Sequence, residues 1–145
     1  MTHPEKNLNN AGFTLLELLI VVVILGILAG LVAPRFFDQP EKARVAATQQ
    51  QLKGVAEALE LYNLDNRDYP TTEQGLKALV ERPSLPPEPT NWKDGGYLPK
   101  MPKDAWGRDF IYLSPGVHGS FDLVSYGADG KPGGEAENAD ISNWE

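Results

Sequence analysis

Cysteine is absent from the 145-residue chain. That excludes a disulfide framework, a thiolate zinc site and a cysteine nucleophile, and leaves an oxidising compartment open. Positive charge is scarce too: thirteen Lys and Arg stand against twenty Asp and Glu, the net charge is −7, and no stretch gathers the basic residues together. A phosphate backbone needs a basic face, so nucleic acid is not expected as a partner. Only two histidines occur, His3 near the start and His118 in a turn-rich stretch, and no serine beside either sits on a nucleophile elbow. Gly130-Lys131 lacks both the upstream glycine and the following Ser or Thr of a phosphate-binding loop. With these constellations missing, the chain reads as non-enzymatic. Long apolar runs are missing from all but one place.

That place is Gly12 to Pro34, where every residue after Phe13 except Thr14 and Glu17 is apolar or glycine until the proline. A helix rises about 1.5 Å per residue, so roughly twenty such residues match the hydrocarbon thickness of a bilayer. The expectation is a helix over 13–34 whose first life is in a membrane. Its one charge is Glu17. A carboxylate inside a membrane costs about 2.5–3.5 kcal/mol on insertion scales, so such an acid is read first as functional. A secretory signal would be followed by an Ala-x-Ala-like cleavage site. Here Ala33 is followed by Pro34, Arg35, Phe36 and Phe37, and the polar segment 1–12 stands ahead of the apolar run as a separate leader.

Beyond the apolar run, Val45, Thr48, Leu52, Val55, Leu59 and Tyr62 recur at spacings of three and four, one stripe along a helix that reaches about Asn63. Pro34 and Pro40 are expected to bend or locally melt it. Asp65 to Pro70 is polar turn chemistry. Thr71 and Gln74 form a capping-box pattern ahead of a short amphipathic helix carrying Leu76, Leu79 and Val80, which ends by Pro83. Residues 84–103 are dense in proline and read as an ordered loop pinned by Trp92 and Tyr97. Asp109–Leu113 and Phe121–Tyr126 alternate in polarity around a turn-rich link and predict an antiparallel hairpin. The result is an α+β chain with one modest core, organised as 1–12, 13–34 and 35–145.

The tail is acidic and glycine-rich: Asp129, Glu135, Glu137, Asp140 and Glu145, with Asn138 among them. Carboxylates and backbone carbonyls at a turn suit calcium, which takes six to eight oxygens in flexible geometry. Lys131 and Pro132 occupy positions where an EF-hand needs oxygen side chains, so this is not that motif. On the residues alone, a calcium loop and a solvated acidic tail both stand.

Gly12-Phe13-Thr14-Leu15-Leu16-Glu17, leading into the apolar run, resembles the class III signal of type IV pilins and type II secretion pseudopilins. The resemblance implies that a prepilin peptidase cuts after Gly12 and methylates the new N-terminal Phe13. Glu17 then becomes the fifth mature residue and sets the register of subunits during assembly. Physically, the cut creates an ammonium group at Phe13 about one helical turn from Glu17, available within one subunit or to its neighbour. The leader departs from a strongly basic pattern, with Lys6 and the amino terminus as its positive charges.

Tyr69-Pro70-Thr71-Thr72-Glu73-Gln74-Gly75-Leu76, Gly95-Gly96-Tyr97, Asp104-Ala105-Trp106-Gly107 and Ser125-Tyr126-Gly127-Ala128-Asp129-Gly130 resemble the major pseudopilins of type II secretion, the GspG-type subunits. This likeness implies a type IV pilin-like fold, a long N-terminal helix packed on a small antiparallel sheet with a C-terminal calcium loop. It implies a homopolymer, the periplasmic pseudopilus that drives export of folded proteins across the outer membrane. Minor pseudopilins and an inner-membrane assembly platform are its implied partners. Before assembly the chain would be a single-pass protein of the bacterial inner membrane with its C-terminal domain in the periplasm. Carried over by position, calcium falls to Asp129 and Asp140, with the carbonyls of Tyr126 and Lys131 and with Asn138 completing the shell. Two other readings remain at this point: a type IV pilin for adhesion or motility, and a signal-anchored monomeric calcium-binding domain.

Overall fold

The computed structural model describes residues 12–145, apart from the side chains of residues 32–39. The leader assigned to 1–12 therefore lies, but for Gly12, outside the described residues. The first helix, α1, runs Leu15–Asn66. It starts two residues later than the expected Phe13, and it is helical through Pro34 and Pro40 where an interruption was expected. A proline removes one helical hydrogen bond, and a helix of this length holds many others. The chain divides into two compact units, 1–38 and 39–145, and the division falls between the two prolines.

In the second unit the predicted stripe is the buried one. Thr48, Leu52, Val55, Leu59 and Tyr62 are buried, Ala58 joins them, and Val45 packs at the edge. Against this face lie Leu76, Ala78, Leu79, Phe110, Tyr112, Phe121, Leu123 and Ile141. Leu59, Leu79 and Leu123 have no exposed surface, and each such side chain contributes about 1.5–3 kcal/mol relative to exposure.

Three short antiparallel strands carry the other side of the core: β1 (Ile111–Leu113), β2 (Asp122–Ser125) and β3 (Ile141–Ser142), in that spatial order. Tyr112 stands opposite Leu123, and Ser125 opposite Ile141. The hairpin is therefore present with strands shorter than expected, while β3, drawn from the acidic tail, was not foreseen. Two residues are too few to display a period of two.

The Thr71 and Gln74 box forms in both directions. Thr71 N–H donates to Gln74 Oε1 (3.0 Å) and Gln74 N–H to Thr71 Oγ1 (3.2 Å). The box leads into a 3-10 turn, Leu76–Leu79, rather than an α-helix. Gly75, at φ 61°, directs the chain out of the helical region just after the box.

The proline-rich loop is pinned as expected, and by polar as well as aromatic contacts. Trp92 and Tyr97 meet edge to face at 6.1 Å, Trp92 Nε1 donates to Ala78 O (2.9 Å) and the Tyr97 hydroxyl donates to Asp65 (2.9 Å). The buried Tyr112 hydroxyl donates to Pro70 O at 2.8 Å, and burial pushes its pKa up to about 12.

Asp122 organises the hairpin turn. It accepts hydrogen bonds from Val117 N–H (2.8 Å) and His118 N–H (3.0 Å), and its Oδ2 lies 3.0 Å from His118 Nδ1. The His118 ring in turn stacks on Trp144 at 3.9 Å. Desolvation raises the Asp122 pKa, but the donors from Val117 and His118 outweigh it and leave it below the ordinary value. A depressed native pKa stabilises the fold above the unfolded value and loses that contribution as pH falls through the native one. Acid unfolding of Asp122→Asn, followed by circular dichroism, is therefore expected to be less steep below about pH 4 than that of the parent chain.

Candidate functional site

Two regions hold the predicted site residues, and the first is the helix start. Gly12, Phe13 and Thr14 are non-helical, and Phe13 is 81% exposed. Glu17 N–H donates to Thr14 Oγ1 (3.2 Å) while Thr14 N–H donates to Glu17 Oε2 (3.3 Å). This reciprocal capping box satisfies two backbone donors that a helix start leaves orphaned. In this structure the Glu17 carboxylate meets the Thr14 backbone amide. Thr14-Leu15-Leu16-Glu17 carries the signature of the box in the sequence.

Behind the cap, the large apolar side chains from Leu15 to Leu31 are all exposed, none below 49%. A helix apolar on every side is normally covered on every side. Among the described residues no helical segment is long and apolar enough to cross a membrane; the described side chains of the apolar run end at Leu31.

The second region is the C-terminal loop, and it is built from a buried acid outward. Asp104 is 5% exposed, and its carboxylate accepts from Trp106 N–H (3.0 Å), Arg108 N–H (2.9 Å) and the Ser125 hydroxyl (2.8 Å). Ala105 N–H donates to Thr48 Oγ1 and Trp106 Nε1 to Glu41, which fastens the 104–108 turn to α1. From that turn Arg108 reaches the loop entrance, donating to Gly127 O (2.6 Å) and Ala128 O (2.8 Å).

Ala128 N–H donates to Glu137 O (2.9 Å), closing the loop that contains the acids. Tyr126, Asp129 and Lys131 share one turn: Gly130 N–H donates to Tyr126 O (3.1 Å), and Lys131 N–H to Asp129 Oδ1 (3.0 Å). Asp140 closes the far side, its Oδ2 accepting from Gly133 N–H (3.0 Å). Asn138, Glu135 and Glu137 are exposed. Among the described residues no three His, Asp or Glu side chains converge on one point. A cation held here would draw much of its shell from carbonyl and hydroxyl oxygens.

Among the described residues two buried side-chain oxygens have no partner: Asp140 Oδ1 and Ser142 Oγ. A buried acceptor without a donor costs about 1–3 kcal/mol, more when charged, and calls for an explanation. A hard cation is the kind of group that satisfies both, so the donor set fits calcium. Ser142 was absent from the expected ligands. Two residues of strand leave no period in the sequence that would point to it.

Two family models divide the chain between them. The prokaryotic N-terminal methylation motif matches residues 7–33, and type II secretion system protein G matches residues 35–144. The first defines the class as proteins that carry the prokaryotic N-terminal methylation motif. The chain belongs to the type II secretion system protein G family, a family of structural pseudopilin subunits and not of enzymes. It is 53% identical over 135 residues to the type II secretion system core protein G of Pseudomonas aeruginosa, covering 93% of this chain and 95% of that protein. To the Vibrio cholerae core protein G it is 50% identical over 140 residues, covering 97% and 95%. The crystal structure of the major pseudopilin from the type 2 secretion system of enterohaemorrhagic Escherichia coli matches with a TM-score of 0.64 at 42% identity, covering 74% of this chain and 92% of that one.

The capping box predicts a separation between two variants. Thr14→Val keeps the shape and removes the acceptor, so amides in the first turn of α1 should exchange faster, by the equivalent of about 0.5–2 kcal/mol. Glu17→Gln keeps an acceptor for Thr14 N–H and should exchange much as the parent does, as read by hydrogen exchange in detergent.

Proposed function

We propose that this chain is a pseudopilin that is cut after Gly12, methylated at Phe13 and polymerised into a periplasmic pseudopilus that drives export of folded proteins across the outer membrane. The observation that carries the proposal is the helix surface from Leu15 to Leu31, exposed on all sides in the isolated chain. Two surroundings cover such a surface: lipid before assembly, and the same helix in neighbouring copies afterwards. In this reading residues 13–34 anchor the subunit in the inner membrane, residues 35–145 stand in the periplasm, and prepilin peptidase acts from the cytoplasmic side. Minor pseudopilins and an assembly platform would start and extend the polymer. Of the three readings that the sequence left open, the match of the family model to residues 35–144 favours this one.

Glu17 sets the register in this scheme. Before cleavage its carboxylate serves the helix cap; after cleavage the new amine of Phe13 competes for it. Only a neighbour docked at the correct axial offset brings a second ammonium to the same carboxylate, by the logic of a single polar group fixing register in a coiled coil.

Calcium belongs to the proposal as the cofactor of the C-terminal loop, held by Asp129, Asp140 and Ser142, with the carbonyls of Tyr126 and Lys131. Asn138, exposed beside them, is left out of this shell. When bound, the ion supplies the positive centre that joins the two ends of the loop. Asp140 and Ser142 flank Ile141, which is buried in the core, so order in the loop is passed directly to the domain.

Intact-mass measurement of the membrane-extracted protein is expected to show loss of residues 1–12 and one added methyl group; a full-length unmodified chain would defeat the proposal. Glu17→Ala should leave a folded subunit that no longer forms filaments under the electron microscope. For calcium, a chelator should lower the melting temperature of the parent chain, and Asp140→Ala should melt at that lowered temperature with or without the ion. Equal melting of the parent in chelator and in calcium would remove the cofactor from the proposal.

A further inference from the structure

Arg108 reaches from the 104–108 turn to the entrance of the C-terminal loop. Its two terminal guanidinium nitrogens, Nη1 and Nη2, donate to the successive carbonyls of Gly127 and Ala128, at 2.6 and 2.8 Å. The rest of the fork lies against Gly130, where a Cβ would come within 2.9 Å of Arg108 Cζ and Nε. Three of the four residues from Gly127 to Gly130 are thus moulded on one side chain, and the fourth is Asp129. The side chain is itself well anchored. Arg108 N–H donates to the buried Asp104, Asp104 N–H donates back to Arg108 O (2.8 Å), and Asp104 is held by Ser125 of β2.

We propose that Arg108 is a positioning residue for the cation of this loop: it holds the Gly127 and Ala128 carbonyls on its own side and so presents Asp129 toward Asp140. The inference rests on the calcium reading above. Among the described residues Arg108 makes no hydrogen bond or salt bridge to a proposed ligand side chain, and its planar, two-pronged donor set is what two adjacent carbonyls require. A lysine in its place would bring one point charge and could not hold both in that geometry.

The proposal opposes the simplest electrostatic expectation. A positive charge beside a cation site repels the cation, so on charge alone Arg108→Ala should tighten binding and Arg108→Lys should leave it unchanged. Positioning predicts weaker binding for both, because the loop must then be ordered at the expense of the binding energy. The test is calorimetric titration of the detergent-solubilised full chain with calcium chloride after chelator treatment, alongside hydrogen exchange of residues 127–133 in chelator.

The expected result is a roughly tenfold rise in Kd for both variants, which corresponds to about 1.4 kcal/mol, with faster exchange over 127–133 and a melting temperature in chelator close to that of the parent. Tighter binding by Arg108→Ala with unchanged Arg108→Lys would overturn the proposal in favour of plain repulsion. Equal affinity and equal exchange in all three proteins would overturn it as well. If the parent chain binds no calcium, the cofactor reading fails and the effect on affinity fails with it; exchange in chelator then reports separately whether the Arg108 clamp shapes the loop. Should Arg108→Ala not fold, Arg108→Lys alone still decides between weaker and unchanged binding.

Discussion

The domain depends on burial of one stripe of α1. Thr48, Leu52, Val55, Leu59 and Tyr62 form a face wide enough to receive the 3-10 turn, the hairpin and the last strand together. None of these partners is independently stable: the strands are three, four and two residues long, and isolated hairpins are marginal in water. They are held because Phe110, Tyr112, Phe121, Leu123 and Ile141 remove apolar surface from water against the helix. Secondary structure here follows from the packing and would not persist without it.

Burial does not orient loops, and the polar fastenings do that. Thr48 is the clearest case, a hydroxyl set within an apolar stripe and fully buried, whose oxygen accepts from Ala105 N–H 57 residues away. From there the order passes through Asp104 to Arg108 and on to the entrance of the acidic loop. Asp122 and Asn143 work similarly at the other end, where the Asn143 side chain accepts from Leu123 N–H (2.7 Å) and donates to Phe121 O (3.2 Å). These bonds contribute modestly one by one, but leaving their buried partners unmet would cost more.

The parts of this arrangement legible in the sequence are those governed by period and by local chemistry. The helix stripe, the Thr71 and Gln74 box and the alternation of Phe110 and Tyr112 each follow from spacing within a few residues. The C-terminal strand does not, because its two residues are selected by Ser125 and Val124 across the sheet. Nor does the Arg108 clamp, whose partners lie 19 and 20 residues on and are backbone carbonyls with no identity in the sequence. Within the candidate sites, the acids were legible as a crowd. Asp140 is set apart from Glu135 and Glu137 by its partial burial and by its bond from Gly133 N–H, and both depend on the closed loop.

The two ends of the chain present the same physical problem in different forms. From Leu15 to Leu31 an apolar surface lacks cover, and at Asp140 and Ser142 two polar atoms lack partners. Both are costs to the isolated chain, and in the proposed scheme both are removed by something the chain does not itself supply. The apolar cost is spread over many side chains and is relieved by any apolar surroundings, so it cannot by itself choose between lipid and another subunit. The polar cost is confined to a few oxygens at fixed positions, so it is selective for the group that relieves it. Selectivity in the apolar run of residues 13–34 would therefore have to come from its one charged residue, Glu17. In the proposed scheme the carboxylate of Glu17, which caps the helix through Thr14 in this structure, is the group through which an unspecific apolar helix would acquire a register.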